Sequence, residues 1–527
     1  LPISLQVVAG AALSLAPEVC DEALAHLYEP IVAEANRRVW LPLRAALPLP
    51  GGDRHDRALQ ALVQLLRAHV GARRGQGPGD GDMLDLLIAA DVDDLEHGDR
   101  HVAGAGGGLD GGDGAREAAV VEGLVDLAGA GVALLAADDR HEHVALQAHD
   151  GGAVAQRRQV QKDRDVVQSL AAVAIISILW VTFGYSLAFV GDGPWIGTLD
   201  RWALAGMTMD SVNPAAKTIP EALFMLYQMT FAIITVALVA GSVADRMRFS
   251  AYVVFSVAWF TFVYVPLAHW VWGGGFLATA GVLDFAGGLV VHLSAGISGL
   301  VAAKVLGNRH GYGSDNLSPF DLSLAVVGTG LLWVGWFGFN GGSALAANGR
   351  AVMAITATHL AACAGALTWG AIEWATRRKP SVLGMISGAV AGLGTITPAS
   401  GFVSPWHGVV IGVIAGLVCF WACTWLKHRL RYDDSLDVFG VHGIGGVTGT
   451  LLCGVFAASA IGGTAGLIER NPNQLLLQFY GVAVTFVWCG GLTFVLLKLV
   501  SIFVPLRVSL QQELEGLDIS QHGEALQ

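Results

Sequence analysis

Phenylalanine is absent from residues 1–165, and lysine occurs there once, at Lys162, against fourteen arginines. No run of about 18 apolar residues lies in that stretch, which excludes a membrane span there. No charged segment, apolar segment and cleavage site follow one another at the start, where the first residue is Leu1, so no signal peptide is read. Cysteine is scarce as well. The six cysteines form neither a zinc-ligand pattern nor a disulfide framework, and five of them fall in apolar segments as small buried hydrophobes. No phosphate-binding loop or ATPase motif stands in the context it needs, so primary active transport is not expected. The basic residues are scattered over loops, which excludes a nucleic-acid surface. No metal or cofactor is expected.

Charge is low overall, at 14% of residues, while 54% are hydrophobic and the mean hydropathy is +0.56. Those values fit an integral membrane protein. The acidity is local. Residues 1–165 hold 15 Lys+Arg against 26 Asp+Glu, and the remainder holds 16 against 17, so nearly all of the formal −12 belongs to the first third. Arginine, alanine, glycine and aspartate retained, with phenylalanine and lysine lost, is what GC-rich DNA yields when read in a wrong frame. Residues 1–165 are therefore expected to be a frameshift or gene-model artefact. A genuine, poorly ordered acidic extension is the rival, and tryptic peptides from residues 1–160 of the natural protein would decide for it.

From Val166 onward, run length predicts ten spanning helices: 166–190, 221–244, 250–272, 285–306, 320–345, 351–375, 381–400, 407–426, 438–462 and 475–500. Glycine within them lets helix backbones approach closely. One set of alternate connections carries twelve basic residues: Arg246 and Arg248; Lys304 and Arg309; Arg377, Arg378 and Lys379; Lys427, Arg429 and Arg431; Lys498 and Arg507. The other set carries four, Arg201, Lys217, Arg350 and Arg470. The first set is cytoplasmic by the positive-inside rule, and the C-terminus with it.

Two histidines sit inside these apolar runs. His292 lies in Phe285-Ala-Gly-Gly-Leu-Val-Val-His-Leu-Ser-Ala-Gly-Ile-Ser-Gly299, and His442 in Val438-Phe-Gly-Val-His-Gly-Ile-Gly-Gly-Val-Thr-Gly449. An ionisable group in hydrocarbon is costly and marks a substrate or proton path. A lone histidine on an apolar face is more often a satisfied core residue. Two of them, five helices apart and so crossing in opposite senses, suggest an inverted repeat with its site near the midplane. Asp284 and Asp437 each precede a histidine segment and are expected to cap its helix.

Several long motifs now carry a family resemblance: Trp180-Val-Thr-Phe-Gly-Tyr-Ser-Leu-Ala-Phe189, His269-Trp-Val-Trp-Gly-Gly-Gly275, Leu283-Asp-Phe-Ala-Gly-Gly288, Gly335-Trp-Phe-Gly-Phe-Asn340, Asp437-Val-Phe-Gly-Val-His-Gly443 and the tail Glu515-Gly-Leu-Asp-Ile-Ser-Gln-His-Gly-Glu524. Residues 166–527 resemble the ammonium transporter (Amt/Mep/Rh) family, most closely its bacterial Amt branch. The resemblance implies an all-α polytopic fold of eleven helices in a five-plus-five inverted repeat plus one, assembled as a homotrimer with a pore in each subunit. The ten helices read here correspond to the second through the eleventh. The family's first helix should end just before Val166, where this chain has Ala155-Gln-Arg-Arg-Gln-Val-Gln-Lys-Asp-Arg164. The implied layout is a transmembrane domain over 166–506 and a cytoplasmic tail over 507–527, in the cell (plasma or inner) membrane.

The resemblance further implies an outer ammonium site of Phe231, Trp272 and Ser343, an aromatic gate of Phe231 and Phe339, pore histidines His292 and His442, and a supporting role near the outer site for Asp284. Aromatic faces attract a small cation, a hydroxyl accepts an N–H, and a hydrophobic constriction blocks hydrated ions. Burial favours the neutral imidazole. The implied function is transmembrane transport of ammonium, recruited outside, deprotonated and passed on as ammonia, with a PII-type regulator as partner at the cytoplasmic face. It is not an enzyme's function. Two rivals remain at this point. One is an ammonium sensor, whose usual extra signalling domain does not fit in the twenty residues after Arg507. The other is a membrane redox protein with the two histidines as axial haem ligands.

Overall fold

The computed structural model describes residues 166–314 and 322–523. The expectations for residues 1–165, and for residues 524–527 of the tail, lie outside the described residues. Within them all ten expected helices are present: α1 Val167–Phe189, α2 Glu221–Val243, α3 Phe249–Ala280, α4 Gly288–Leu306, α5 Leu322–Ala344, α6 Gly349–Arg377, α7 Val382–Ile396, α8 Pro405–Leu430, α9 Phe439–Phe456 and α10 Pro472–Phe503. Among the described residues nine are long and apolar enough to cross a bilayer.

The exception is α7, only 15 residues long where the run length promised twenty. Pro398 explains the difference. Proline has no N–H to continue the helix ladder, and although Thr397 before it keeps helical backbone (φ −48°, ψ −49°), the ladder ends there. The chain from Thr397 to Val403 runs on as turns buried within the protein. Non-helical backbone at membrane depth is tolerated where protein surrounds it. The start of α4 moves from the expected 285 to Gly288, because Gly287 adopts a left-handed conformation (φ 115°) that L side chains rarely take.

Helix α4 packs against α2 and α10, and α6 packs against α7 and α8. Helices α4 and α9 cross each other, the first turns of each lying against the body of the other, as an inverted repeat requires. The crossing is close because it is made at glycines. A methyl group on Gly296 would come 2.2 Å from the Gly443 Cα, and one on Gly446 would come 2.7 Å from the Gly288 carbonyl. No other residue lets these backbones approach so far.

On the face with the twelve basic residues, the connections are tied together. Arg246 is fully buried and donates to the carbonyls of Ser242, Ala244, Gly307 and Asp433 and to Ser435 Oγ. Arg309 donates to the Asp433 carboxylate at 2.8 and 2.9 Å and to Asp245 at 3.0 Å. The tail returns to the same place. Arg248 N donates to the Leu506 carbonyl, Val508 N donates to the Arg246 carbonyl, and Glu513 of α11 (Leu510–Glu515) accepts from Arg507 at 2.8 Å and from His310 N at 2.7 Å.

Candidate functional site: an aromatic and histidine column between the repeats

Both histidines lie in the first turns of their helices, and in both cases the turn is a wide π turn. His292 lies in Gly288–Leu293 and His442 in Phe439–Gly443. Widened turns of this kind re-aim side chains and concentrate at functional sites. Each starting turn has a carboxylate beneath it. Asp284 accepts from four backbone N–H groups, those of Gly287, Gly288, Leu289 and Val290, at 2.6 to 3.2 Å. These are the four donors that a helix start leaves without partners.

The second helix departs from expectation. Asp437 does not cap it; its carboxylate pairs with Lys427 Nζ at 2.7 Å. The capping oxygen belongs to Asp434, which accepts from Phe439 N at 2.7 Å. Asp434 stands eight residues before His442, as Asp284 stands eight before His292. That shared offset was the available signal, and proximity to a phenylalanine at Asp437 concealed it.

Five of the sequence-derived site residues form a chain of successive ring contacts. The rings of Trp272 and Phe231 stand edge to face at 5.4 Å. Phe231 and Phe339 follow at 4.3 Å, Phe339 and His292 at 6.2 Å, and His292 and His442 at 5.2 Å. The two imidazoles are nearly parallel, with Nδ1 to Nδ1 3.2 Å apart, a hydrogen-bond distance. His292 Nε2 is buried without a partner. Trp336, which the sequence did not single out, stacks on His292 at 5.5 Å. A metal held between two imidazole nitrogens needs about 4 Å between them, so the two Nδ1 atoms are too close to hold one between them.

Above the column lies a cavity of about 220 Å³, lined among others by Phe224, Gln228, Phe231, Trp272, Phe285 and Ser343. Ser343 Oγ lies 2.9 Å from the Phe339 carbonyl and 3.0 Å from the Tyr227 hydroxyl, which itself reaches that carbonyl at 2.7 Å. The two protons are directed at the carbonyl or between the hydroxyls, so Ser343 keeps an acceptor lone pair. Tyr227 was also missed from sequence, where a single tyrosine in an apolar run reads as core. Trp272 Nε1 donates to the Asp284 carbonyl at 2.8 Å, which links the aromatic wall of the cavity to the cap of α4.

A family model described as "Ammonium Transporter Family" matches residues 143–526. The chain belongs to the ammonium transporter family. The "Ammonium transporter" of Bacillus subtilis (strain 168) is 47% identical over 360 residues, covering 68% of this chain and 88% of that protein. "Ammonium transporter Amt1" of Archaeoglobus fulgidus is 42% identical over 360 residues, covering 68% and 89%. Among solved structures, Saccharomyces cerevisiae Mep2 matches with a TM-score of 0.64 and 35% identity, over 74% of this chain and 86% of that one. A chain described as "Sensor Amt Protein" matches with a TM-score of 0.64 and 26% identity, over 77% and 98%. The membership read from the motifs is thus shown, as is the helical, multi-pass membrane fold of this ammonium transporter family member.

Proposed function

We propose that this chain carries ammonium nitrogen across a membrane by recruiting ammonium, removing its proton and conducting ammonia. The observation that carries the reading is the unbroken column from Trp272 through Phe231 and Phe339 to His292 and His442. At its head, Phe231 and Trp272 offer aromatic faces and Ser343 an acceptor. Potassium is of similar size but donates no hydrogen bond, so it gains less there. The Phe231–Phe339 contact is too tight for a hydrated ion and acts as the gate. A full charge in the dry segment beyond is costly, so shedding the proton lowers the barrier.

The imidazole pair suits both products. If one Nδ1 donates to the other, one outer ring edge is left as a donor and the other as an acceptor. Ammonia meets a polar edge without meeting a charge. A shift of protons along the pair, together with water, gives a relay for the separated proton and net electrogenic transport.

The proposal extends to a transmembrane domain over 166–506 with a cytoplasmic tail over 507–527, a homotrimer in the plasma or inner membrane, and a PII-type regulator on the basic inner loops. The family resemblance supports the trimer and the regulator, and loop charge supports the orientation. A sensor is the second reading, favoured by the 26% likeness to the chain described as a sensor. The transporter reading rests on named transporters at 42% and 47%.

Currents from proteoliposomes after an ammonium jump test this. The expected result is a saturable current that the His292→Ala, His442→Ala double variant loses or loses selectivity in. Ammonium uptake by pH dye without current would mean net ammonia conduction. Neither uptake nor current would bring the sensor reading forward.

A further inference from the structure

Gln228 has no part in the mechanism above, yet it stands in the middle of the site. It lies on α2 three residues before Phe231, and so on the same helix face. It lines the cavity that Phe231, Trp272 and Ser343 also line. The residue is only 8% exposed, and its Oε1 is buried with no hydrogen-bond partner. A buried amide oxygen without a donor is unfavourable, and native proteins rarely leave one so. Its side chain also ties α2 to nothing through that oxygen, so holding the fold does not account for it.

The amide oxygen has no donor to give up when a ligand arrives. A half turn of its last torsion exchanges oxygen and nitrogen, and the orientation adopted follows the donors at hand. Ammonium brings four N–H donors in a tetrahedron. The cavity offers the Ser343 hydroxyl, the faces of Phe231 and Trp272, and the side chain whose amide oxygen is unmatched.

We propose that Gln228 is a specificity-determining residue of the outer site, its side-chain carbonyl turning inward to accept one N–H of ammonium while Ser343 Oγ accepts another. The proposal rests on the outer-site reading given above. It gives the site a preference for the number of donors. Methylammonium has three N–H groups and one methyl, and it directs the methyl at whichever acceptor is lost. Removing the Gln228 carbonyl therefore harms ammonium more than methylammonium.

The test is transport by the full chain in proteoliposomes, for wild type and for Gln228→Met, Gln228→Leu and Gln228→Glu, with Ser343→Ala and Trp272→Leu beside them. Met and Leu keep the volume without the acceptor; Glu keeps an acceptor and covers the case where an apolar variant fails to fold. For Gln228→Met and Gln228→Leu the ammonium KM should rise about tenfold with kcat nearly unchanged, the signature of a lost hydrogen bond to a charged donor. The methylammonium KM should rise by less than about threefold, so the ratio of the two narrows. Gln228→Glu should hold the ammonium KM at or below wild type. Equal rises for both substrates, or a fall in kcat alone, would show a packing role and overturn the proposal. If Ser343→Ala or Trp272→Leu raises KM while the Met and Leu variants do not, the proposal falls and the outer site stands. If none of these variants raises KM, the outer-site reading itself falls.

Discussion

At the scale of single residues, two adjacent carboxyls are driven in opposite directions by their surroundings. Asp433 and Asp434 are neighbours. Burial alone would raise Asp433, but the hydrogen bonds and charge of Arg309 hold it below the usual carboxylate range. Burial, and then the charge of Asp437, push Asp434 from 3.8 up to about 6. Its Oδ1 is buried with no partner, a place for that proton. The signs follow. A carboxyl raised on folding binds its proton more tightly in the folded state, so its contribution is full below the unfolded value and declines as pH rises towards the folded one. Stability should therefore fall between about pH 4 and pH 6, by on the order of 3 kcal/mol. The Asp433 contribution runs the other way and is lost only as pH falls below the ordinary carboxylate range. Asp434→Asn should flatten the slope between pH 4 and 6 while Asn keeps an acceptor for Phe439 N. Melting temperature against pH in detergent reads this directly, and an unchanged slope would sink it. Asp284 was legible as a cap because it stands directly before its run. Asp434 was hidden in a short acidic stretch that offers Asp433, Asp434 and Asp437, among which only the eight-residue offset shared with Asp284 and His292 points to it.

At the scale of elements, apolar run length made the ten helices legible, since a bilayer leaves a spanning chain few alternatives to helix. The end of α7 was not, because a buried turn after Pro398 is as apolar as a helix. The π turns at His292 and His442 carry no composition signal. The family resemblance implied the two histidines as a pair in the pore, while their 3.2 Å approach depends on the crossing of α4 and α9. Gly296 faces the Gly443 backbone, which has no side chain to move aside. Gly296→Ala should therefore force the helices apart, destabilise by about 1–3 kcal/mol as overpacking does, and lower transport by separating the imidazoles. Gly330→Ala is the control, as a methyl there meets nothing within 4 Å. Thermal unfolding and uptake of both variants decide it. Equal behaviour of the two would remove the crossing from the account.

At the scale of the whole molecule, the cavity and the basic residues lie at opposite ends of the helices. Phe189 ends α1, Phe224 begins α2, Phe285 precedes α4 and Ser343 nearly ends α5, and all four line the cavity. The connections at that end carry only four basic residues, and Arg246, Arg309 and the tail are gathered at the other. Loop charge sets orientation, so the end with the cavity should face outward and meet external substrate first. Single cysteines test this in a background without Cys20 and Cys363; the remaining cysteines, Cys419, Cys423, Cys453 and Cys489, are buried. Met209 is 92% exposed in the α1–α2 connection, and Lys379 is exposed in the α6–α7 connection. Met209→Cys should react with a membrane-impermeant thiol reagent on intact cells, and Lys379→Cys only after permeabilisation. The reverse pattern would turn the column around, making the aromatic cavity an exit and the tethered basic face the side that recruits.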